Sequence, residues 1–451
     1  MPSSLKKGVS FVKTKYILIP ATLGLVLILG AVVPQSAKSI PAFARKEGVA
    51  CAVCHTTVPH LNEYGFNYRK AGFRDPGDIG KELPEFNFAD VFSARVQARY
   101  DVKHRDFGNN NTTTTNQLQL HEITLYPASG SFGKHYGSLF EMSFAGEDFV
   151  ELENAYLRYV WGTEDAFWSA RLGLFHPFEG YGGSDRPFSL SRPLFQGATS
   201  NNGMGSTFFK MWGFDQAGAE LAYVKGRTSA SVTLFNGIFV ANDEGAFKAF
   251  PASGGHLTKK AGFTNDDSKD VQLFLNQIID ENGSGVSLYY YFGQSDLPAT
   301  NNPAAFSPGS AFENDFHRVA GYGSYAFSPK AEAMGGFAWG QDHFIPNSNL
   351  AILNTAEVTG DALDTFNSIG FFGEADFHPT DITTVGGRFD WFDPSSDVDN
   401  NEVWAATGFA NVPLNDGFQV IVEAKHKQTK VGANADDFKD DSFQVRMIWI
   451  Q

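Results

Sequence analysis

Both cysteines of this 451-residue chain fall in "GVACAVCHTTVPH", residues 48 to 60. Cys51 and Cys54 stand three apart and His55 follows directly, so the stretch reads C-x-x-C-H. That spacing is the haem attachment pattern of c-type cytochromes. Two thiols one helical turn apart can each form a thioether to the two vinyl groups on one edge of a haem, and the residue that follows then lies under the iron as its proximal ligand. The expected cofactor is one covalent haem c, anchored by Cys51 and Cys54 and ligated by His55. Other chemistries fit the residues less well. A redox disulfide needs no His55 and usually comes with a βαβ pattern, which is missing. A structural zinc site needs four ligands, and two cysteines with one histidine fall short. The ligand opposite His55 is not named by the motif. Residues 40 to 90 contain no methionine, so a thioether would have to come from Met142, Met204, Met211, Met334 or Met447. His60 is a further candidate, but it follows His55 by only five residues and would struggle to reach the opposite haem face.

The first residues read as a targeting segment. "MPSSLKKGVSFVKTK" is basic, "YILIPATLGLVLILGAVV" (16–33) is uninterrupted by charge, and small residues follow in "PQSAKSIPAFA". A basic region, an apolar run and a small-residue site make a secretory signal peptide, residues 1–39, with cleavage expected near Ala37 to Ser39. The apolar run approaches the length of a membrane helix, so retention is the alternative. Either way the chain leaves the cytoplasm, and haem is attached to c-type proteins on that side of the membrane. Residues 1–39 carry five lysines and no acid, so their removal takes the formal charge from −15 to −20. That balance argues against binding nucleic acid or anionic lipid headgroups, though not against cations.

Positioning falls to strands. "VFSARVQARYD" sets Phe92, Ala94, Val96, Ala98 and Tyr100 against Ser93, Arg95, Gln97, Arg99 and Asp101. "FWSARLGLF", "FQVIVEAK" and the terminal "SFQVRMIWIQ" alternate in the same way, as strands with one apolar and one polar face do. Others, such as "ELENAYLRYV", are blurred. From residue 90 there are about 16 candidate strands. Short links (162–166, 225–227, 280–284, 327–330, 378–381, 412–416) alternate with long ones (177–214, 237–268, 294–315, 341–367, 392–401, 429–439), and "HRDFGNNNTTTTN" (104–116) reads as another long link. An even number of antiparallel strands with tight turns at one rim and long loops at the other is the pattern of an outer-membrane barrel. Sixteen strands would be wide enough for an aqueous lumen. The expected organisation is a mainly β transmembrane antiparallel barrel over 86–451, preceded by a short haem segment at 40–85. A segment that short cannot bury a core of its own, so it should dock on or inside the barrel. Leu61, Tyr64 and Tyr68 lie at helical spacing, and Gly72 could end that helix. Both ends of an even-stranded barrel lie on the periplasmic side, so the segment should enter from there.

"FARKEGVACAVCHTTVPHLNEYGFNYRKAGF", residues 43 to 73, resembles the N-terminal segment of outer-membrane fused monohaem cytochrome c–porin proteins, on Cys51, Cys54, His55 and the aromatic stretch after them. The barrel matches that family by pattern and length only. The resemblance implies an iron-oxidising type of electron-transfer protein, an Fe(II)-oxidising cytochrome c that takes electrons from extracellular Fe(II) and passes them to a periplasmic carrier. Two other functions stay open. One is electron export to an extracellular acceptor. The other is a diffusion porin in which haem is a structural plug.

Overall fold

The computed structural model describes residues 41–50, 53–57, 60–83, 87–108, 111–145, 148–176, 178–180, 186–197, 216–236, 269–298, 311–343, 365–380, 383–394, 396, 400, 402–415, 417–430 and 437–450. Residues 1–39 and Cys51 lie outside them. The N-terminal part contains α1 (Pro41–Glu47), β1 (His55–Thr57), β2 (His60–Leu61) and α2 (Glu63–Lys70). Strands follow in order: β3 (Ser93–Asp106), β4 (Thr112–Tyr126), the short β5 (Gly130–Phe132), β6 (Tyr136–Ala145), β7 (Asp148–Gly162), β8 (Ala166–Phe175), β9 (Gln216–Lys225) and β10 (Thr228–Phe235). A four-residue helix, α3 (Leu194–Gly197), sits between β8 and β9. The rest are β11 (Asp270–Ile278), β12 (Gly285–Pro298), β13 (Ala311–Ser328), β14 (Ala331–His343), β15 (Thr365–Phe377), β16 (Thr384–Asp393), β17 (Val403–Asn415), β18 (Phe418–Thr429) and β19 (Phe438–Ile450).

Every neighbouring pair is antiparallel, and β19 pairs with β3 from Lys439↔Asp106 to Ile450↔Arg95, which closes the barrel. Sixteen long strands form the wall, because β4 pairs directly with β6 while β5 only flanks it. Closure leaves no open sheet edge, so each backbone group in the wall finds its partner within the sheet, the condition for crossing a bilayer with strands. The expected short links are the observed turns, such as Gly162 to Ala166 and Lys225 to Thr228. The supposed long link 104–116 is instead mostly strand. Its threonines pair with β3 as far as Asp106↔Thr112. Polar, β-branched threonines favour strand geometry even where no core lies behind them.

Side chains alternate as the pleat requires, apolar outward and polar inward. Leu157, Leu172, Leu234, Leu288 and Phe337 are exposed, while Arg158, Arg171, Thr233, Ser287 and Glu332 are buried. Around the short-turn rim an outward ladder of aromatics runs from Phe132 through Tyr136, Tyr159, Trp161 and Trp168 to Tyr223, with successive ring centroids 4.8–6.3 Å apart. An apolar belt edged by aromatics on a closed even-stranded barrel is the architecture of an outer-membrane protein.

Among the described residues, part of the lumen is occupied by side chains. One buried cluster joins Phe66, Tyr68 and Phe73 of the N-terminal segment to Phe178, Phe188, Leu194 and Phe195 of the inward-folded link after β8, and to wall residues such as Tyr289, Tyr322 and Phe372. This explains the blurred strands. Tyr156 and Val160 of β7 face inward beside Arg158 and pack on the contents of the barrel, so that strand carries apolar residues on both faces.

Candidate functional site

The N-terminal segment sits at the short-turn rim and is held there by backbone and buried charge. Helix α2 is started by Asn62, whose side chain accepts from the Gly65 N–H at 2.9 Å, with Glu63 in its first turn and Arg69 and Lys70 in its last. These charges suit the helix dipole. The helix ends with Gly72 N–H donating to the Arg69 carbonyl and Phe73 N–H to that of Tyr68, a Schellman closure that needs φ = +74° at Gly72. The backbone at Gly72 also lies against Gly137 of β6, where a Cβ on Gly137 would come 2.2 Å from the Gly72 carbonyl oxygen. Arg74 is buried and its guanidinium donates to the carbonyls of Phe132, Gly133, Lys134 and Tyr136, so one fork closes the β5–β6 turn. No motif in the sequence marked Arg74.

Two polar groups pin the segment from opposite sides. On the β7–β9 side, Glu179 accepts from Arg69 at 3.0 Å, Lys70 at 3.1 Å and Arg171 at 2.8 Å. Arg171 also reaches Glu220 at 2.7 Å, and Arg158 donates to the Lys70 carbonyl and to Ser169. Burial pushes the Glu179 carboxyl up, but Arg171 first, then Arg69, Lys70 and Arg158, overcome this and hold it well below the usual carboxylate range. On the β14 side, His60 is buried and its Nδ1 lies 3.2 Å from Glu332 Oε1. The second Glu332 oxygen is 3.9 Å from His378 Nε2, and Phe188 packs edge-on against both imidazoles, each at 5.9 Å.

Cys54 and His55 of the C-x-x-C-H motif lie at the start of this docked unit. Cys54 and His55 are half-buried, and Val53 beside them is exposed. The Cys54 carbonyl accepts from Asn62 N–H at 3.0 Å and rests on Gly65, where a Cβ would come within 2.1 Å of it. Tyr64 and Tyr68 lie near enough to feel Cys54, and Phe43 stacks on Phe73 at 4.6 Å and meets Tyr68 at 6.1 Å. Burial first, then the Glu47 carboxylate that accepts its hydrogen bond, push the Tyr68 phenol above its ordinary range, so it stays neutral. The Cys54 thiol beside the rings of Tyr64 and Tyr68 suits the edge of a haem. The residues present therefore fit the group, with Cys54 and His55 among the described residues and Cys51 outside them. No three His, Cys, Asp or Glu side chains converge on a metal ion among the described residues.

The candidates for the opposite ligand separate. His60 lies beside Leu61, which pairs across from His55, and Thr57 pairs with His60. The His60 imidazole is turned to Glu332 on β14. Met447 pairs with Ala98 and Val420 on the outward side, and Met142 with the exposed Leu152. Met334 is buried in the lumen and lines the same small cavity as His60. Met204 and Met211 lie outside the described residues. Sequence reasoning missed Glu332, Glu179 and the inward link. The signal for the link was its apolar content, Phe178, Phe188, Leu190 and Phe195 within an apparent loop.

No protein-family model matches the chain, and no curated protein matches it. Among solved structures it is similar to the outer-membrane channel DcaP of Acinetobacter baumannii, at 11% identity and a TM-score of 0.48, over 80% of this chain and 97% of that one. It is also similar to OprB of Pseudomonas putida, at 10% identity and 0.47 over 79% and 94%, and to an anion-selective porin from Comamonas acidovorans, at 11% and 0.47 over 80% and 98%.

Proposed function

We propose that this chain is an outer-membrane electron-transfer protein that carries one covalent haem c on Cys51, Cys54 and His55 at the mouth of its barrel. It exchanges single electrons between an extracellular donor and a periplasmic carrier. The resemblance of residues 43–73 makes Fe(II) the favoured donor. The observation that carries the reading is the docking of the C-x-x-C-H segment. It does not trail from the barrel but is built into its mouth through Arg74, Glu179 and Glu332, beside a buried cluster that occupies part of the lumen. A haem supplies one-electron chemistry without a substrate pocket, its potential following ligation and burial. The chain's own residues do the rest. The two thiols would hold the group, His55 would ligate it, and the aromatic cluster would exclude water from its faces. Both the segment and the last strand reach the short-turn rim, the periplasmic rim of such barrels.

The test has two steps. Wild type should keep a haem stain on a denaturing gel, and a Cys51→Ala/Cys54→Ala double variant should lose it. Covalent haem surviving in the double variant would overturn the assignment. Wild type and His55→Ala are then placed in liposomes enclosing an electron acceptor, with Fe(II) added outside at acidic pH to limit spontaneous oxidation. Wild type should reduce the acceptor and the variant should not. Equal rates would mean that the reductant leaks through an open pore, and the diffusion-porin reading would replace this one. Wild type inert to Fe(II), but with reduced haem oxidised by an external acceptor, would reverse the direction.

A further inference from the structure

The chain is acidic overall, yet cations gather on the lumenal face of the seam where the barrel closes. Arg99 of β3 stands directly across from Arg446 of β19 in the strand register. Gln97 and Asp101, which flank Arg99 on its own face of the strand, are buried inside the barrel, so Arg99 and Arg446 share the lumenal side. Like charges directly opposed on one face of a sheet are destabilising. A third guanidinium adds to the pair. Arg446 lies close enough to feel both Arg99 and Arg186, and Arg186 belongs to the link that folds inward after β8. His121 is the extra residue of the β4 bulge opposite Gln97 and Ala98, and it too lies near Arg99 and Arg446. Bulges commonly re-aim a side chain, and this one brings an imidazole to the arginines.

The neighbouring carboxylates are committed elsewhere. Asp101 accepts from Arg99 Nε at 2.5 Å with one oxygen and from the Gln444 amide at 2.5 Å with the other. Glu122 accepts from Arg95 at 2.6 Å, and Glu423 accepts from the Ser191 N–H at 3.0 Å. Arg446 forms no ion pair among the described residues. Its Nη2 donates to the neutral Gln444 amide oxygen at 3.1 Å, and its Nε is buried without a hydrogen-bond partner. A guanidinium carries five N–H donors and no acceptor. Donors and positive charge around Arg446 therefore exceed what Asp101, Glu122 and Glu423 offer it. The complement is an anion with two or more acceptor oxygens, which the planar fork of an arginine matches better than a spherical halide.

We infer that the lumen binds a small inorganic oxyanion of the sulfate or phosphate class between Arg446, Arg99 and Arg186. The anion turns the repulsion of the cross-strand pair into two attractions. It also ties the inward link to the closing seam of the wall. The site is separate from Cys51, Cys54 and His55 and does not depend on the haem reading.

Equilibrium dialysis of the full-length, detergent-solubilised protein against radiolabelled sulfate and phosphate, at constant ionic strength in chloride, tests this. Wild type should take up one sulfate or phosphate ion per chain, saturably, with chloride a weak competitor. Arg446→Gln and Arg99→Gln should each weaken binding by about tenfold or more, the scale of one charge-assisted hydrogen bond. Arg105→Gln removes a lumenal cation near the long-loop rim that pairs with Asp440 at 3.3 Å, and it should leave binding unchanged. Wild type without saturable uptake overturns the inference, as does Arg446→Gln that binds like wild type. An equal loss in Arg105→Gln would show diffuse lumenal charge in place of a built site, and overturns it too. Folding of each variant is checked by heat-modifiable mobility. Should both wall variants fail to fold, Arg186→Gln, which lies outside the strands, decides. Weakened binding there supports the site, and unchanged binding overturns it.

Discussion

At the scale of single residues, Glu179 ties the N-terminal segment to the wall. It joins Arg69 and Lys70 of the N-terminal segment to Arg171 of the wall, and both carboxylate oxygens are used. Removing one partner from a buried ion pair leaves the others uncompensated, which typically costs about 3–5 kcal/mol. Glu179→Gln should therefore loosen the segment by about that much, read as faster protease cleavage within residues 41–83 while the strands stay protected. The pH dependence follows from the depressed carboxyl. Its stabilisation is fully present above the ordinary carboxylate value and is lost as pH falls through the depressed folded value. Wild type and variant should thus differ most near neutral pH and converge in strong acid. A constant difference across that range would show that charge is not what Glu179 contributes. Gly65 and Arg74 act differently, through space and donor geometry, and neither role could be seen without the partners that surround them.

Among the elements, α2 depends on both of its ends. The Asn62 cap is worth about 1 kcal/mol. At Gly72 an alanine would meet a left-handed φ costing about 1–2 kcal/mol, and its Cβ would press on a Val160 methyl at 3.2 Å. Asn62→Ala and Gly72→Ala should each speed hydrogen exchange of the α2 amides severalfold, with the glycine variant more affected. Exchange unchanged in Gly72→Ala would mean that the helix end is not anchored as described. The strands were legible because period two is a local property, and each turn was marked by its neighbours in sequence. The hairpin at Asp106 and Thr112 was misread because its polar threonines lack the apolar face that ordinarily signals a strand.

For the whole molecule, the contents of the barrel decide how it behaves as a pore. Wild type should be a heat-modifiable, β-rich detergent-soluble protein with low conductance in planar bilayers. Deletion of residues 41–83 should leave the barrel closed and inserted, because strand pairing runs from β3 to β19 without the segment. It should also raise conductance by removing Phe66, Tyr68 and Phe73 from the lumen. Equal conductance of the two proteins would show that the segment does not obstruct the lumen.

The sequence by itself determined the alternating strands, the rhythm of short and long links, and the one C-x-x-C-H motif. Each is written in residues adjacent along the chain. Only the tertiary structure decided what fills the lumen and what the segment touches. The contacts of Lys70 with Glu179 and of His60 with Glu332 span 109 and 272 residues. A buried carboxylate and a solvated one are spelled with the same letter. The barrel's closure is what brings such residues together and takes the water away from them.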